Sequence, residues 1–233
     1  AKGGGDALAE VLRALAADYP DYCALGGEDA CPIPVNNGAQ VVQSLDTLRQ
    51  LVGDPWMMGR IAANHALSDL YACGARPVSA LATVNLPYSG PEVQRRELYQ
   101  VLAGALAEFS RVDCRLSGGH SMQGPELTVG FAVNGVPLGA GGRLLPKRGV
   151  RPGDSLILTK PLGTGALFAA HMQLGVDGRD IARAIEMMLQ SSLEAARLAL
   201  SHGASAATDI TGFGLAGHLL EMLGDDHEAA LQV

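Results

Sequence analysis

The chain has 233 residues, a net charge of −7 and a pI near 5.3, with no run of lysine or arginine. A nucleic-acid partner therefore has no electrostatic footprint to bind. Apolar residues make up 48% and aromatics only 4%, which allows one large or two small domains with tightly packed, small-residue cores. The four cysteines, Cys23, Cys31, Cys73 and Cys114, show neither C-x-x-C nor metal-ligand spacing, so no disulfide framework is expected. There is no signal-peptide pattern and no apolar run of membrane length. The expectation is a cytoplasmic protein with no membrane partner.

Leu8, Val11, Leu12 and Leu15 share one helical face, which predicts a short helix over Asp6–Ala17. Gly3-Gly4-Gly5 before it makes 1–25 a glycine-rich segment expected to be mobile. Gly26-Gly27-Glu28-Asp29 reads as a turn, and Gln40–Leu45 as a strand ending near Asp46. Asp54-Pro55 opens a helix that runs through Gly59 to Cys73 and stops at Gly74, with Pro77 beyond. Val78–Leu86 predicts a buried strand, Pro91–Phe109 a helix with proline at its start, and Leu127–Val136 an alternating strand. Leu116 leads into Gly118-Gly119, read as a loop.

Leu138–Gly153 is rich in glycine and proline and reads as the domain boundary. A first domain over 26–145 and a second over 146–233 follow. In the second, Ser155–Thr159 predicts a strand and Leu162–Leu174 a helix. Arg179–His202 predicts one long helix with Ile181, Ile185, Met188, Ala195 and Leu198 inward. Ala204–Ile210 reads as strand or loop, and Leu215–Leu223 as a last helix. Another strand begins at Ala229–Val233, so the second domain is expected to be truncated. Strands and helices mix without a regular βαβ beat, which favours α+β.

Four aspartates, Asp29, Asp46, Asp69 and Asp209, stand at the ends or middles of apolar segments. Converging carboxylates would hold Mg²⁺, which prefers hard oxygen ligands and shares phosphate oxygens. Each has another reading: Asp29 an Asx turn, Asp46 a strand end, Asp209 a helix cap, Asp69 a solvated helix face. Asp69 stands apart because it is mid-helix among apolar residues, with His65 four residues earlier. Three glycine-containing segments suit phosphate: Gly118-Gly119-His120-Ser121, Thr159 to Gly165 including Lys160, and Thr208 to Gly214. None is a P-loop or a dinucleotide fingerprint. Lys2, Lys147 and Lys160 are the chain's lysines, and Lys147 sits in a polar loop outside these motifs.

Read together, Gly59 to Gly74, Gly118 to Ser121, Thr159 to Gly163 and Thr208 to His218 resemble, in order and spacing, the motifs of selenophosphate synthetases. That family lies in a superfamily with aminoimidazole ribonucleotide synthetase and thiamine-monophosphate kinase. The resemblance implies a two-domain aminoimidazole-ribonucleotide-synthetase-like α+β fold and a homodimer built through the first domain's sheet. It implies conversion of ATP, selenide and water to selenophosphate, AMP and phosphate, with Mg²⁺ and a monovalent cation such as K⁺. Asp29, Asp46, Asp69 and Asp209 match the family's metal- and phosphate-binding aspartates, with Asp29, Asp69 and Asp209 the metal ligands. Gly118, Gly119, His120, Ser121 and Lys160 would contact nucleotide, and Lys2 matches a catalytic lysine on a mobile segment. The family's reactive Cys or selenocysteine would precede Ala1. Glu28 stands where a second Asp is usual, and Ser192 where an Asn is usual, which puts turnover by this chain itself in question. The sequence also resembles forms fused behind a flavin-type oxidoreductase domain. Two alternatives stay open: a related kinase with an organic substrate, and a non-catalytic nucleotide-binding or dimerisation module.

Overall fold

A computed structural model of the chain describes residues 5–18, 29–33, 35, 39–139 and 141–224. Lys2, Gly3, Gly4, Gly26, Gly27, Glu28, Cys23 and the expected strand at Ala229–Val233 lie outside the described residues. In chain order the elements are α1 (Gly5–Asp18), β1 (Cys31–Ile33), β2 (Val41–Arg49), α2 (Pro55–Ala72), β3 (Ala75–Pro87) and α3 (Pro91–Phe109). A 3₁₀ turn (Ser110–Val112), β4 (Arg115–Gly124), β5 (Thr128–Pro137), α4 (Thr164–Met172), α5 (Gly178–Leu189), α6 (Leu193–Ser201) and α7 (Gly214–Leu223) follow.

The strands form one mixed sheet in the order β1-β2-β5-β3-β4. Only β3 and β4 run parallel, and α3 is the crossover that a parallel pair requires. Side chains alternate across the pleat, so Val42, Val129, Phe131, Val133, Ala80 and Val84 point to one face, where they are buried. Helices α2 and α3 cover that face. Phe109 from α3 meets Phe131 edge to face at 5.1 Å between ring centroids.

Helix α2 starts where its sequence says it should. The Asp54 carboxylate accepts the N–H groups of Trp56 (2.9 Å) and Met57 (3.3 Å), and Pro55 occupies the first turn. It ends at Cys73 because Gly74 turns left-handed (φ 71°). Apolar residues line most of its circumference, with Met58, Ile61, Leu67, Leu70 and Tyr71 all buried. A helix apolar on so many sides is a central one. It packs against α3, β2, β5 and the later helices α5 and α6.

Several expectations need correction. Residues 118–121 do not form a loop: they lie in β4, paired parallel with β3. These residues carry no strand signal because β4 is an edge strand, exposed along most of its length, and so lacks the apolar alternation that marks strands. Ser155–Thr159 forms no regular strand and is exposed, with Ile157 84% accessible. Ala204–Ile210, read as strand or loop, is a loop. The long helix expected over Arg179–His202 is two helices, broken at 190–192 where Gln190 turns extended (φ −71°, ψ 120°).

The break has a physical partner. The amide of Asn64, a buried residue of α2, donates to the carbonyls of Met188 (2.6 Å) and Gln190 (3.1 Å). Lys160 Nζ donates to the Gln190 carbonyl at 2.5 Å. These bonds satisfy the carbonyls that a helix end leaves open. Replacing Asn64 with Leu leaves the Met188 carbonyl without this partner and should destabilise the chain by about 1–3 kcal/mol. Urea denaturation checks this; a midpoint equal to that of the parent would show the bonds to be dispensable.

Between the two halves, the backbone N–H of Leu145 donates to the Cys73 carbonyl (2.8 Å), and the next carbonyl, Pro146, accepts from Ala207 (3.1 Å). Leu145 is buried. Successive residues thus bond to the end of α2 and to the segment before α7.

Candidate metal and phosphate site

Three of the four singled-out aspartates converge. Asp29, Asp69 and Asp209 each offer an oxygen, and these oxygens lie within 4.8 Å of one another. Asp69 comes from the last turn of α2 rather than its middle, Asp29 from the segment just before β1, and Asp209 from the loop that enters α7. The alternation of β2 brings the fourth group in. Ser44 and Asp46 point to the α2 side of the sheet, where the Ser44 hydroxyl donates to Asp69 Oδ2 and Asp46 Oδ2 lies 3.5 Å from His65 Nε2. His65 and Asp69 are one helical turn apart, so one face of α2 meets both carboxylate-bearing elements. Ser68, beside Asp69, donates to Asp209 Oδ2 at 2.7 Å.

The carboxylates of the cluster load one another electrostatically. Burial pushes the Asp69 carboxyl up to about 9, and the neighbouring charges of Asp209, Asp46 and Asp29 push the same way, while the Ser44 hydrogen bond opposes. Asp29 is also raised, chiefly by burial, with the hydrogen bond from Lys147 pulling it back. Asp29 Oδ2 is buried and accepts no hydrogen bond among the described residues. A set of close carboxylates with an orphaned oxygen must either keep a proton or take a cation. All-oxygen, anionic donors fit a hard divalent ion such as Mg²⁺.

Lys160 stands on the rim, close enough to feel the charge of Asp209. Burial lowers its pKa while Asp209 raises it. Gly163 (φ 113°) and Gly214 (φ 68°) provide the left-handed turns at which α4 and α7 begin. The segment Gly118-Gly119-His120-Ser121 is elsewhere. Gly119 pairs with Ala82, Ala82 with Phe131, and Phe131 with Asp46. Three strand spacings, about 14 Å, therefore separate it from the cluster within one chain. Glycine is required at 119 because a Cβ would lie 2.2 Å from the Ala82 carbonyl oxygen.

Three residues not expected at the site support it. Lys147 Nζ lies 2.8 Å from Asp29 Oδ1 and 2.9 Å from Glu221 Oε2, and Glu221 Oε2 lies 3.0 Å from His218 Nδ1. In sequence Lys147 reads as a polar loop residue because nothing local marks it. Its burial arises only once α7 folds back over the linker. The i, i+3 spacing of His218 and Glu221 was the available signal.

Comparisons with known proteins identify the family and the fold. Residues 27–137 match the family model of the AIR synthase related protein N-terminal domain, and residues 151–231 that of its C-terminal domain. The selenide, water dikinase of Geobacter metallireducens is 38% identical over 226 residues, covering 95% of this chain and 65% of that protein. The selenide, water dikinase of Myxococcus xanthus is 37% identical, with 93% and 61% covered. The chain thus spans about three fifths of the length of these curated relatives. Among solved structures, AaThiL complexed with AMPPCP and TMP superposes with a TM-score of 0.71 at 20% identity, covering 92% of this chain and 69% of that one. Hydrogenase maturation protein HypE in complex with ATP gives 0.63 at 19% identity, with 94% and 66% covered. With a matching fold and both family domains represented, the chain belongs to the AIR synthase-related family, in which its curated relatives are selenide, water dikinases.

Proposed function

We propose that this chain carries the ATP- and metal-binding part of a selenide, water dikinase, which makes selenophosphate, AMP and phosphate from ATP, selenide and water. The observation that carries the proposal is the convergence of Asp29, Asp69 and Asp209 from both family domains onto one small volume. Phosphoryl transfer depends on positioning and charge neutralisation more than on covalent help. Asp29, Asp69 and Asp209 would hold Mg²⁺, with Asp46 beside them. When bound, the ion would neutralise phosphate oxygens. Lys160, tethered to a backbone carbonyl, is within reach of the same rim to meet a phosphate. The starts of α4 and α7 present backbone N–H groups to anions. Lys2 is proposed to close over the phosphates from the N-terminal segment. Gly118, Gly119, His120 and Ser121 are proposed to contact nucleotide, and their distance from the cluster requires that they do so away from the ion. A monovalent cation such as K⁺ belongs to the same reading, and faster turnover in KCl than in NaCl would support it.

A homodimer is proposed through the open face of the sheet. On that face Leu45 pairs with Ala132 and Ala132 with Leu81, yet Leu45 is 64% and Leu81 47% exposed. A second copy of this face would cover them. A monomer by light scattering at micromolar concentration would refute this. The bonds of Leu145 and Pro146 support a domain division near residue 145.

The reaction is tested by phosphorus NMR of the complete protein with Mg-ATP and anaerobic selenide. Selenophosphate, AMP and phosphate are the expected products. ADP as the only nucleotide product, unaffected by selenide, would instead mark a related kinase with an organic substrate.

A further inference from the structure

Lys147 lies in the linker between the two halves, yet its side chain is only 10% exposed. A lysine taken this far from water persists only when its charge is matched. Asp29 and Glu221 match it. Hydrogen bonds extend the path beyond Glu221, which accepts from both sides. The backbone N–H of Thr211 donates to His218 Nε2 (3.1 Å), so Nε2 is the acceptor and the imidazole proton belongs on Nδ1, which donates to Glu221. His218 itself is 2% exposed. The path Asp29–Lys147–Glu221–His218–Thr211 therefore begins at one clustered carboxylate and ends two residues from another, Asp209.

Asp29 and Asp209 both need such support. Asp69 is fixed by the rigid backbone of α2, but the other two sit on irregular segments before β1 and before α7. Lys147 and the Thr208 hydroxyl (3.2 Å) both take Asp29 Oδ1, which leaves Oδ2 buried and unshared among the described residues. We propose that Lys147, Glu221 and His218 form a positioning frame that holds Asp29 and Asp209 at the separation a shared divalent cation needs. The inference rests on reading the acidic cluster as a metal site. An ammonium beside a cation site also repels the ion. Here Glu221 balances the Lys147 charge, so orientation is the larger effect and losing the lysine weakens binding.

The test is Mn²⁺ binding to the full chain by electron paramagnetic resonance, with Mg²⁺ displacement as the control. Outer-shell partners typically contribute about 10–100-fold in metal affinity. Lys147→Met should raise the Mn²⁺ Kd by about that factor, and Lys147→Arg, which can still pair with both carboxylates, by less than about threefold. Glu221→Gln, on a partly exposed side chain that tolerates an isosteric change, should weaken binding even if Lys147→Met fails to fold. The double variant should be no weaker than Lys147→Met alone, because both changes cut one path. Parent-like or tighter Mn²⁺ binding by Glu221→Gln or by folded Lys147→Met would overturn the frame, as would additive losses, if Asp69→Asn still abolishes binding. No Mn²⁺ binding by the parent chain would overturn the metal reading and the frame together.

Discussion

Asp69→Asn should lower Mg-dependent ATP hydrolysis by the complete protein at least about a hundredfold, beyond the range typical for an outer-shell partner. Asp69 is the member of the cluster fixed by a regular element and the one on which the charges of Asp29, Asp46 and Asp209 all act. The amide keeps the shape and the Ser44 contact but removes the negative charge that a hard cation requires. Steady-state phosphate release at saturating Mg-ATP measures the effect. Undiminished turnover would remove Asp69 from the site.

The same change should have the opposite sign on the stability of the metal-free chain. The folded protein holds the Asp69 proton up to about pH 9, whereas an unfolded chain releases it near the ordinary value of 3.8. Between those values the folded state binds the extra proton, so stability falls as pH rises through that window and is greatest below it. In EDTA the parent should therefore lose thermal stability from pH 6 to 9. Asp69→Asn has no carboxylate to ionise and should lose less, melting several degrees higher at pH 9. Mg²⁺ should reverse the ranking at pH 8, since it stabilises only the chain that binds it. Parallel parent and variant curves in EDTA would show that Asp69 is not under this charge load.

How much of this was legible in the residues depended on whether a signal was local. Helix α3 was expected at Pro91–Phe109 and occupies Pro91–Phe109, because a proline start and a 3.6-residue period are written into contiguous sequence. The carboxylates could be named from their places at the ends of apolar segments and from Asp69 standing among apolar helix residues. What could not be read was set by contacts distant in sequence. The edge strand β4 takes its conformation from β3 rather than from any alternation of its own. The break at Gln190 is fixed by Asn64, more than a hundred residues earlier. Lys147 becomes a buried ion-pair partner only through Asp29 and Glu221, both far from it in sequence. The glycines of α2 and α3 carried no visible warning either. Helix propensity treats them as weaknesses, and only the packed structure shows their purpose.

Those glycines carry the second large effect. Gly59 on α2 and Gly104 on α3 lie at the helix crossing. A Cβ on Gly59 would stand 1.9 Å from the Val101 carbonyl oxygen, and one on Gly104 2.0 Å from the Trp56 carbonyl oxygen. Both obstacles are backbone, so no side-chain rotation relieves them, and the helices would have to separate. Separation is resisted on both sides of the crossing by the Arg60–Glu108 pair (2.5 Å, with Glu108 buried) and by the packing of Val101 and Ala105. Alanine offers up to about 1 kcal/mol of helix propensity in return, less than overpacking at a rigid contact typically costs, about 1–3 kcal/mol and occasionally more. Gly59→Ala and Gly104→Ala should each destabilise by about 2 kcal/mol net, lowering Tm by roughly 4–8 °C for a chain of this size. The double variant should lose less than the sum, because one separation accommodates both methyl groups. Gly165 in α4, where a Cβ would meet nothing within 4 Å, is the matched control: Gly165→Ala should be neutral or stabilising by up to about 1 kcal/mol. Thermal melts of the four variants decide it. A Gly104→Ala protein as stable as the parent would mean that the crossing yields more easily than its backbone contacts indicate.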